Sequence, residues 1–176
     1  KRQVKKWMEP LLDTLVMSIA GTALALIFSF PLGLLAANNT SPNKTIYVLS
    51  RSILNFLRSI PELIMGIIFV AAVGFGALPG VLALGLHSAG MMGKFYAESI
   101  EHIDKHPVEA AKATGASGLQ VIRYAILPQV FSQGADLCIY RWEYNFRAST
   151  VMGMVGAGGI GFELVGSLRI MRYDEV

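Results

Sequence analysis

The sequence predicts an all-α protein, a bundle of helices that crosses a membrane several times. Hydrophobic residues make up 53% of the 176 and charged residues only 15%, against about 25% charged in an average soluble chain. The mean hydropathy is +0.52. Between Asp13 and Lys44 lie 30 consecutive residues without a formal charge, and between Glu62 and Lys94 another 31. A run of about 20 apolar residues is enough for a helix to cross the hydrocarbon core. Two such runs exclude a soluble globular enzyme and a disordered chain, and the single Cys138 excludes an internal disulfide framework. The net charge of +3 is scattered, with no basic run longer than two residues, so no nucleic-acid partner is expected.

The elements follow in order. Residues 1–10 place Lys1, Arg2, Lys5 and Lys6 around Val4, Trp7 and Met8, the composition of a short basic segment lying at the headgroup level and touching lipid. A first span is expected over about 11–37, with Pro31 and Gly33 inside it, and Asn38–Asn43 reads as a turn. A second span over about 45–73 is interrupted by Arg51, Arg58 and Glu62. Arg58 and Glu62 are four residues apart and pair on one face if Pro61 leaves the helix continuous. After the break at Gly74–Gly80, a third span is expected over about 81–97, with His87 as an interhelical contact and glycines suited to close helix approach.

Lys94–Lys112 carries seven charges and two histidines in 19 residues, so a loop over about 98–118 is placed in water. A fourth span over about 119–140 holds Pro128, Gly134 and Asp136. It is followed by the polar stretch Arg141–Arg147 and a Gly-rich segment over 153–161. The chain opens on Lys1 and closes on Val176 without terminus signals, and is expected to be a segment of a longer polypeptide, truncated at both ends.

Several motifs suggest chemistry that their context does not support. Gly156-Ala157-Gly158-Gly159-Ile160-Gly161 fits GxGxxG, but a dinucleotide site needs a preceding strand and a βαβ unit, and these flanks are membrane-like. A backbone bend at membrane depth is the competing reading. Gly93-Lys94 lacks the glycine and the Ser/Thr of a phosphate-binding loop. His102 and His106 have metal-ligand spacing, yet Pro107 biases His106 away from helical geometry. Neither a metal site nor a catalytic residue is assigned. The alternatives kept from other classes are a membrane-embedded hydrolase using His87, His102 or His106, and a passive channel.

The most specific pattern is Glu109-Ala110-Ala111-Lys112-Ala113-Thr114-Gly115, followed after ten residues by Ile126-Leu127-Pro128. It resembles the EAA loop of permease subunits from binding-protein-dependent ABC importers. Arg58-Ser59-Ile60-Pro61-Glu62, Tyr140–Thr150 and Gly153–Gly161 are similar to the phosphonate/phosphite (PhnE-like) branch of these permeases. Alanines favour a helix here, and Gly115 suits its left-handed end.

The resemblance implies a type I ABC importer permease (MetI-like) fold over 11–176, in the bacterial plasma (inner) membrane as a multi-pass protein. It implies a cytoplasmic coupling loop in which Glu109, Ala110, Ala111 and Gly115 dock on a separate ABC ATPase subunit. That ATPase would hold ATP and Mg, while this chain would hold no cofactor and no ATPase site. Two permease copies and an extracytoplasmic phosphonate- or phosphite-binding protein would complete the importer, which moves an oxyanion by alternating access. The cations nearest membrane depth, Arg58, Arg141 and Arg147, with Glu62 and Asn145, are the candidate substrate path. Guanidinium groups suit phosphate-like oxygens, although Glu143 stands ready to pair with Arg141 or Arg147. A cytoplasmic coupling loop puts residues 1–10 outside. The four Lys/Arg of 1–10 equal the four of 94–123, so the positive-inside rule leaves this orientation to the motif.

Overall fold

The structure, a computed structural model, describes residues 2–171; Lys1 and residues 172–176 lie outside it. The described residues form eight α-helices: α1 (Arg2–Ala36), α2 (Lys44–Ser59), α3 (Glu62–Val73), α4 (Ala77–Glu101), α5 (Lys105–Ala113), α6 (Gly118–Val121), α7 (Leu127–Met152) and α8 (Ile160–Arg169). A π-turn at Ile122–Ile126 joins α6 to α7, and a 3₁₀ turn at Gly153–Val155 follows α7.

The basic lead expected over 1–10 is, where described, the first part of α1 rather than a separate helix. At 35 residues α1 is about 52 Å long, well beyond a hydrocarbon core of about 30 Å. Val16, Ile19, Ile27 and Phe28 are exposed along it, as lipid-facing side chains would be. Its opposite face packs on α4, where backbones come close because small residues meet: a Cβ on Gly33 would stand 2.8 Å from Tyr96 Cβ and 3.1 Å from the Gly93 oxygen.

α4 is the central helix, with α1, α2, α3 and α7 around it. Most of it is buried, including Gly85, Gly90 and Gly93. Protein rather than lipid surrounds α4, which accounts for glycine, serine and histidine in place of a continuous apolar run. Among the described residues α1 alone is long and apolar enough to cross a membrane; α2 with α3, and Gly118–Val155 with α8, qualify only as bent pairs.

The second span is not one helix. α2 and α3 meet at a bend of 90°, and the cause is Pro61. It pushes the preceding Ile60 out of helical space to φ −92°, ψ 120°, and itself sits extended at ψ 141°. α3 has only 12 residues, about 18 Å, roughly half a bilayer core. The Arg58–Glu62 pair, conditional on a continuous helix, therefore does not form.

The third helix extends beyond 81–97 at both ends. The fourth runs past Tyr140 to Met152, because Arg141 and Asn145 of the polar stretch turn into the bundle, 4% and 0% exposed. At its start Pro128 has no N–H to give, and the chain widens by one residue: Leu127 N–H bonds the Ile122 carbonyl, five back. In the Gly-rich segment, Gly159 at φ +76° lies where a Cβ would stand 2.7 Å from Thr14 Oγ1. That approach lets Ile160 N–H bond the same Thr14 hydroxyl at 2.9 Å.

Candidate functional site

Two regions gather the residues singled out from the sequence. The first is the segment between α4 and α7. Asp104 caps α5, its carboxylate accepting from His106 N–H at 3.0 Å and contacting His106 Nδ1 at 2.7 Å. These bonds hold the Asp104 carboxyl below its ordinary pKa. Pro107 falls in the first turn of α5, where a missing N–H costs nothing, so His106 is helical after all. His102 instead ends α4, with Nδ1 2.7 Å from the Glu98 carbonyl oxygen. The two histidines thus belong to different helices, each with its own partner.

The far end of α5 closes in a Schellman turn. Ala116 N–H bonds the Ala111 carbonyl at 3.3 Å and Gly115 N–H bonds Lys112 at 3.0 Å, with Gly115 at φ +79°. Val108 and Ala111 rest on the cluster of Ala36, Ile100, Val121 and Ile126, while Glu109, Ala110 and Gly115 are exposed. Gln129 of α7 fixes the entry to α5: its Oε1 accepts from Asp104 N–H at 2.9 Å and its Nε2 donates to the Asp104 carbonyl at 3.2 Å. The result is a short helix pinned at one end, seated on two side chains and open elsewhere. A groove of about 360 Å³ runs beside it, lined by Asn39, Thr40, Lys105, Glu109 and Lys112 among others.

A second set of bonds ties this end of the bundle together. Arg51 of α2 donates from Nε to the Ala36 carbonyl at 3.0 Å, and from Nη2 to both Glu101 oxygens at 2.9 Å. Glu101 also accepts from Asn38 N–H at 2.9 Å. The last carbonyls of α1, the turn after it, and the end of α4 are therefore held by one ion pair. Arg51 registered in the sequence only as an interruption, because its partner lies 50 residues away.

The second region is a polar cluster inside the bundle. Asn145 Nδ2 donates to Thr22 Oγ1 at 3.0 Å, and Ser88 Oγ donates to Asn145 Oδ1 at 2.8 Å. Arg141 Nη2 donates to Ser88 Oγ at 3.0 Å. The Arg141 guanidinium lies 4.4 Å from the centre of the Tyr144 ring, and Tyr144 O–H donates to Glu62 Oε1 at 2.6 Å. The other Glu62 oxygen is 3.6 Å from His87 Nε2, and His87 Nδ1 is 3.1 Å from the Ile60 carbonyl oxygen. The chain of contacts joins α1, α4 and α7 to the Ile60–Glu62 corner.

Of the five substrate-path candidates, the structure brings together Glu62, Arg141 and Asn145. Arg147 faces out and pairs with Glu143 at 3.2 Å, both more than 60% exposed. Arg58 places Nε 3.2 Å from Met91 Sδ. Ser88, Thr22 and Tyr144 were not among the site residues expected from the sequence. A signal existed for Thr22: Thr14, Ser18 and Thr22 recur every four residues in an apolar run, marking a face of α1 that meets α7.

The family described as binding-protein-dependent transport system inner membrane component matches residues 29–176. The chain is 69% identical over 98% of its length to the phosphite transport system permease protein PtxC of Stutzerimonas stutzeri, covering 62% of that protein. It is 45% identical over 93% of its length to the phosphate-import permease protein PhnE of Mycolicibacterium smegmatis, covering 31% of it. To the putative phosphite transport system permease protein HtxC of Stutzerimonas stutzeri it is 44% identical over 93%, covering 58%. The chain thus spans less than two thirds of the length of these relatives. Among solved structures, the fold is similar to an inward-facing MetNI methionine ABC transporter chain, with TM-score 0.82 at 21% identity over 96% of this chain and 82% of that one. An amino acid ABC transporter chain gives TM-score 0.78 at 18% identity over 99% of this chain and 83% of that one.

Proposed function

Because the chain belongs to the binding-protein-dependent transport system inner membrane components, we propose that it forms the core of a permease subunit that moves phosphite, phosphonate or a related oxyanion across the inner membrane. ATP would be hydrolysed, with Mg, on a separate ABC ATPase subunit. A second permease copy would complete the pathway, and an extracytoplasmic phosphonate- or phosphite-binding protein would deliver the substrate. The chain would carry out no covalent chemistry; transport would proceed by alternating access, the two orientations being populations that ATP binding shifts.

The observation that carries this reading is α5. It is a pinned, short, exposed helix that leaves Glu109, Ala110 and Gly115 open to solvent while Ala111 seats it. A solvated connector would not need the reciprocal Gln129–Asp104 bonds that fix its entry angle. Relatives named as phosphite and phosphate permeases supply the substrate class. The hydrolase reading would need free histidines, whereas His87, His102 and His106 each contact an oxygen within the fold.

The test uses the full-length permease carrying this segment. Wild type, Glu109→Lys and Gly115→Arg are compared for co-purification of the ATPase subunit. Loss of the ATPase in both variants, with equal permease in the membrane fraction, is expected. Retention in both would remove 98–118 as the docking element.

A further inference from the structure

Arg141 carries an electrostatic anomaly. It is 4% exposed, and no carboxylate lies within ion-pair distance of it among the described residues; the nearest acid in the cluster, Glu62, is engaged through Tyr144 O–H and faces His87. The guanidinium has one acceptor, Ser88 Oγ, and the face of the Tyr144 ring. Its Nε is the one buried side-chain nitrogen or oxygen among the described residues that has no hydrogen-bond partner. Desolvating a guanidinium is costly, and the Glu62 charge reaches this one only across the Tyr144 side chain, not in direct contact; a buried cation in a membrane-embedded bundle marks a functional site. The fold buries a planar donor and leaves part of it unsatisfied.

Neighbouring groups match a small tetrahedral oxyanion. Arg141 offers a fork of N–H donors suited to two oxygens of one anion. Ser88 and Asn145 stand beside it, both fully buried; Asn145 Nδ2 has a second N–H beyond the one given to Thr22, and the Ser88 O–H reaches an anion by turning from Asn145 Oδ1. The Ile60–Glu62 corner lies at the end of this chain of contacts and is held by three of them, Tyr144 to Glu62, His87 to Glu62 and His87 to the Ile60 carbonyl. The 90° break at Pro61 leaves Ile60 at the end of α2 and Glu62 at the start of α3, so this hinge is the element placed to move when the site opens.

Resting on the importer reading above, we propose that Arg141, with Ser88 and Asn145, is the oxyanion-binding site within the permease, and that the Ile60–Glu62 corner closes over it. Arg58 and Arg147, which reach neither Ser88 nor Asn145, are outside it.

The experiment uses the full-length permease with its ATPase in proteoliposomes, supplied with the binding protein, and measures uptake of inorganic phosphite. Arg141→Met and Arg141→Lys are compared with wild type, each checked for co-purified ATPase and for thermal midpoint. A purely structural role predicts that Arg141→Met keeps its uptake, because an apolar side chain of similar volume replaces a buried charge that has no direct ion-pair partner. The binding role predicts at least a tenfold loss of uptake in both variants, with the ATPase still bound and the midpoint of Arg141→Met no lower than wild type. Uptake within twofold of wild type in either variant overturns the proposal. If Arg141→Met fails to assemble, Arg141→Lys decides on the same threshold. Absence of phosphite uptake in the wild-type complex would instead defeat the importer reading, and so is distinguishable.

Discussion

Gly115 allows the docking reading to be tested without introducing bulk or charge. Its φ of +79° is a conformation that costs a residue bearing a Cβ about 1 to 2 kcal/mol, and a Cβ added there meets nothing within 4 Å. Gly115→Ala therefore perturbs the backbone alone. If the ATPase grips α5 with its Schellman turn formed, that cost is subtracted from the docking free energy. At 1.4 kcal/mol per tenfold, the dissociation constant should rise about 5- to 30-fold. Asn tolerates the left-handed region better than Ala, so Gly115→Asn should weaken binding distinctly less. The assay is a titration of purified ATPase subunit onto the full-length permease in nanodiscs. A change of less than twofold for Gly115→Ala, or equal losses for Ala and Asn, would refute the argument that turn geometry sets the docking surface.

Other substitutions address the frame around the site. Gly33→Ala drives a Cβ against Tyr96 and the Gly93 carbonyl, both on the tightly packed α4, and should destabilise by about 1 to 3 kcal/mol; a thermal midpoint unchanged from wild type would show that α1 and α4 can separate freely. Arg51→Ala removes the donors to the Ala36 carbonyl and to Glu101, a loss of about 1 to 2 kcal/mol after allowing for partial exposure. Amides from Asn38 to Ser41 should then exchange faster, and unaltered exchange would count against the ion pair as the staple. The Asp104 carboxyl has its pKa lowered by the His106 N–H and ring, so its support of α5 is complete above the unfolded pKa and is lost only as pH falls through the lower folded one. Protection of the first α5 amides should be level from neutral pH to about pH 4 and decline below it, and Asp104→Asn should remove that decline; a decline that persists in Asp104→Asn would refute the assignment to Asp104.

The sequence alone determined that the protein is helical and membrane-embedded, since charge-free runs of this length have no other stable outcome. It also determined the local geometry of α5 and the turn after it. Ala-rich residues closed by Gly115, and the Ile126-Leu127-Pro128 break, are decided within a turn or two of themselves. The family could be recognised from the same residues. Three features were decided only by the folded molecule. Pro61 signalled an interruption, but whether the chain kinks or turns by 90° depends on what α4 and α7 offer to Ile60 and Glu62. The stretch from Arg141 to Arg147 read by composition as a polar stretch following a span that ended at Tyr140. It remains helical because Ser88, Thr22 and Tyr144 satisfy part of what Arg141 and Asn145 bring inside. The division of the five path candidates into three gathered and two apart is also tertiary, since the face of α7 that meets α4 is the one where Asn145 reaches Ser88 and Gly134 meets Tyr96, partners far away in sequence. Hydropathy reports how much of a side chain prefers lipid. It carries no information about a hydrogen-bond partner 50 or 120 residues away, and those partners are what place a charge inside.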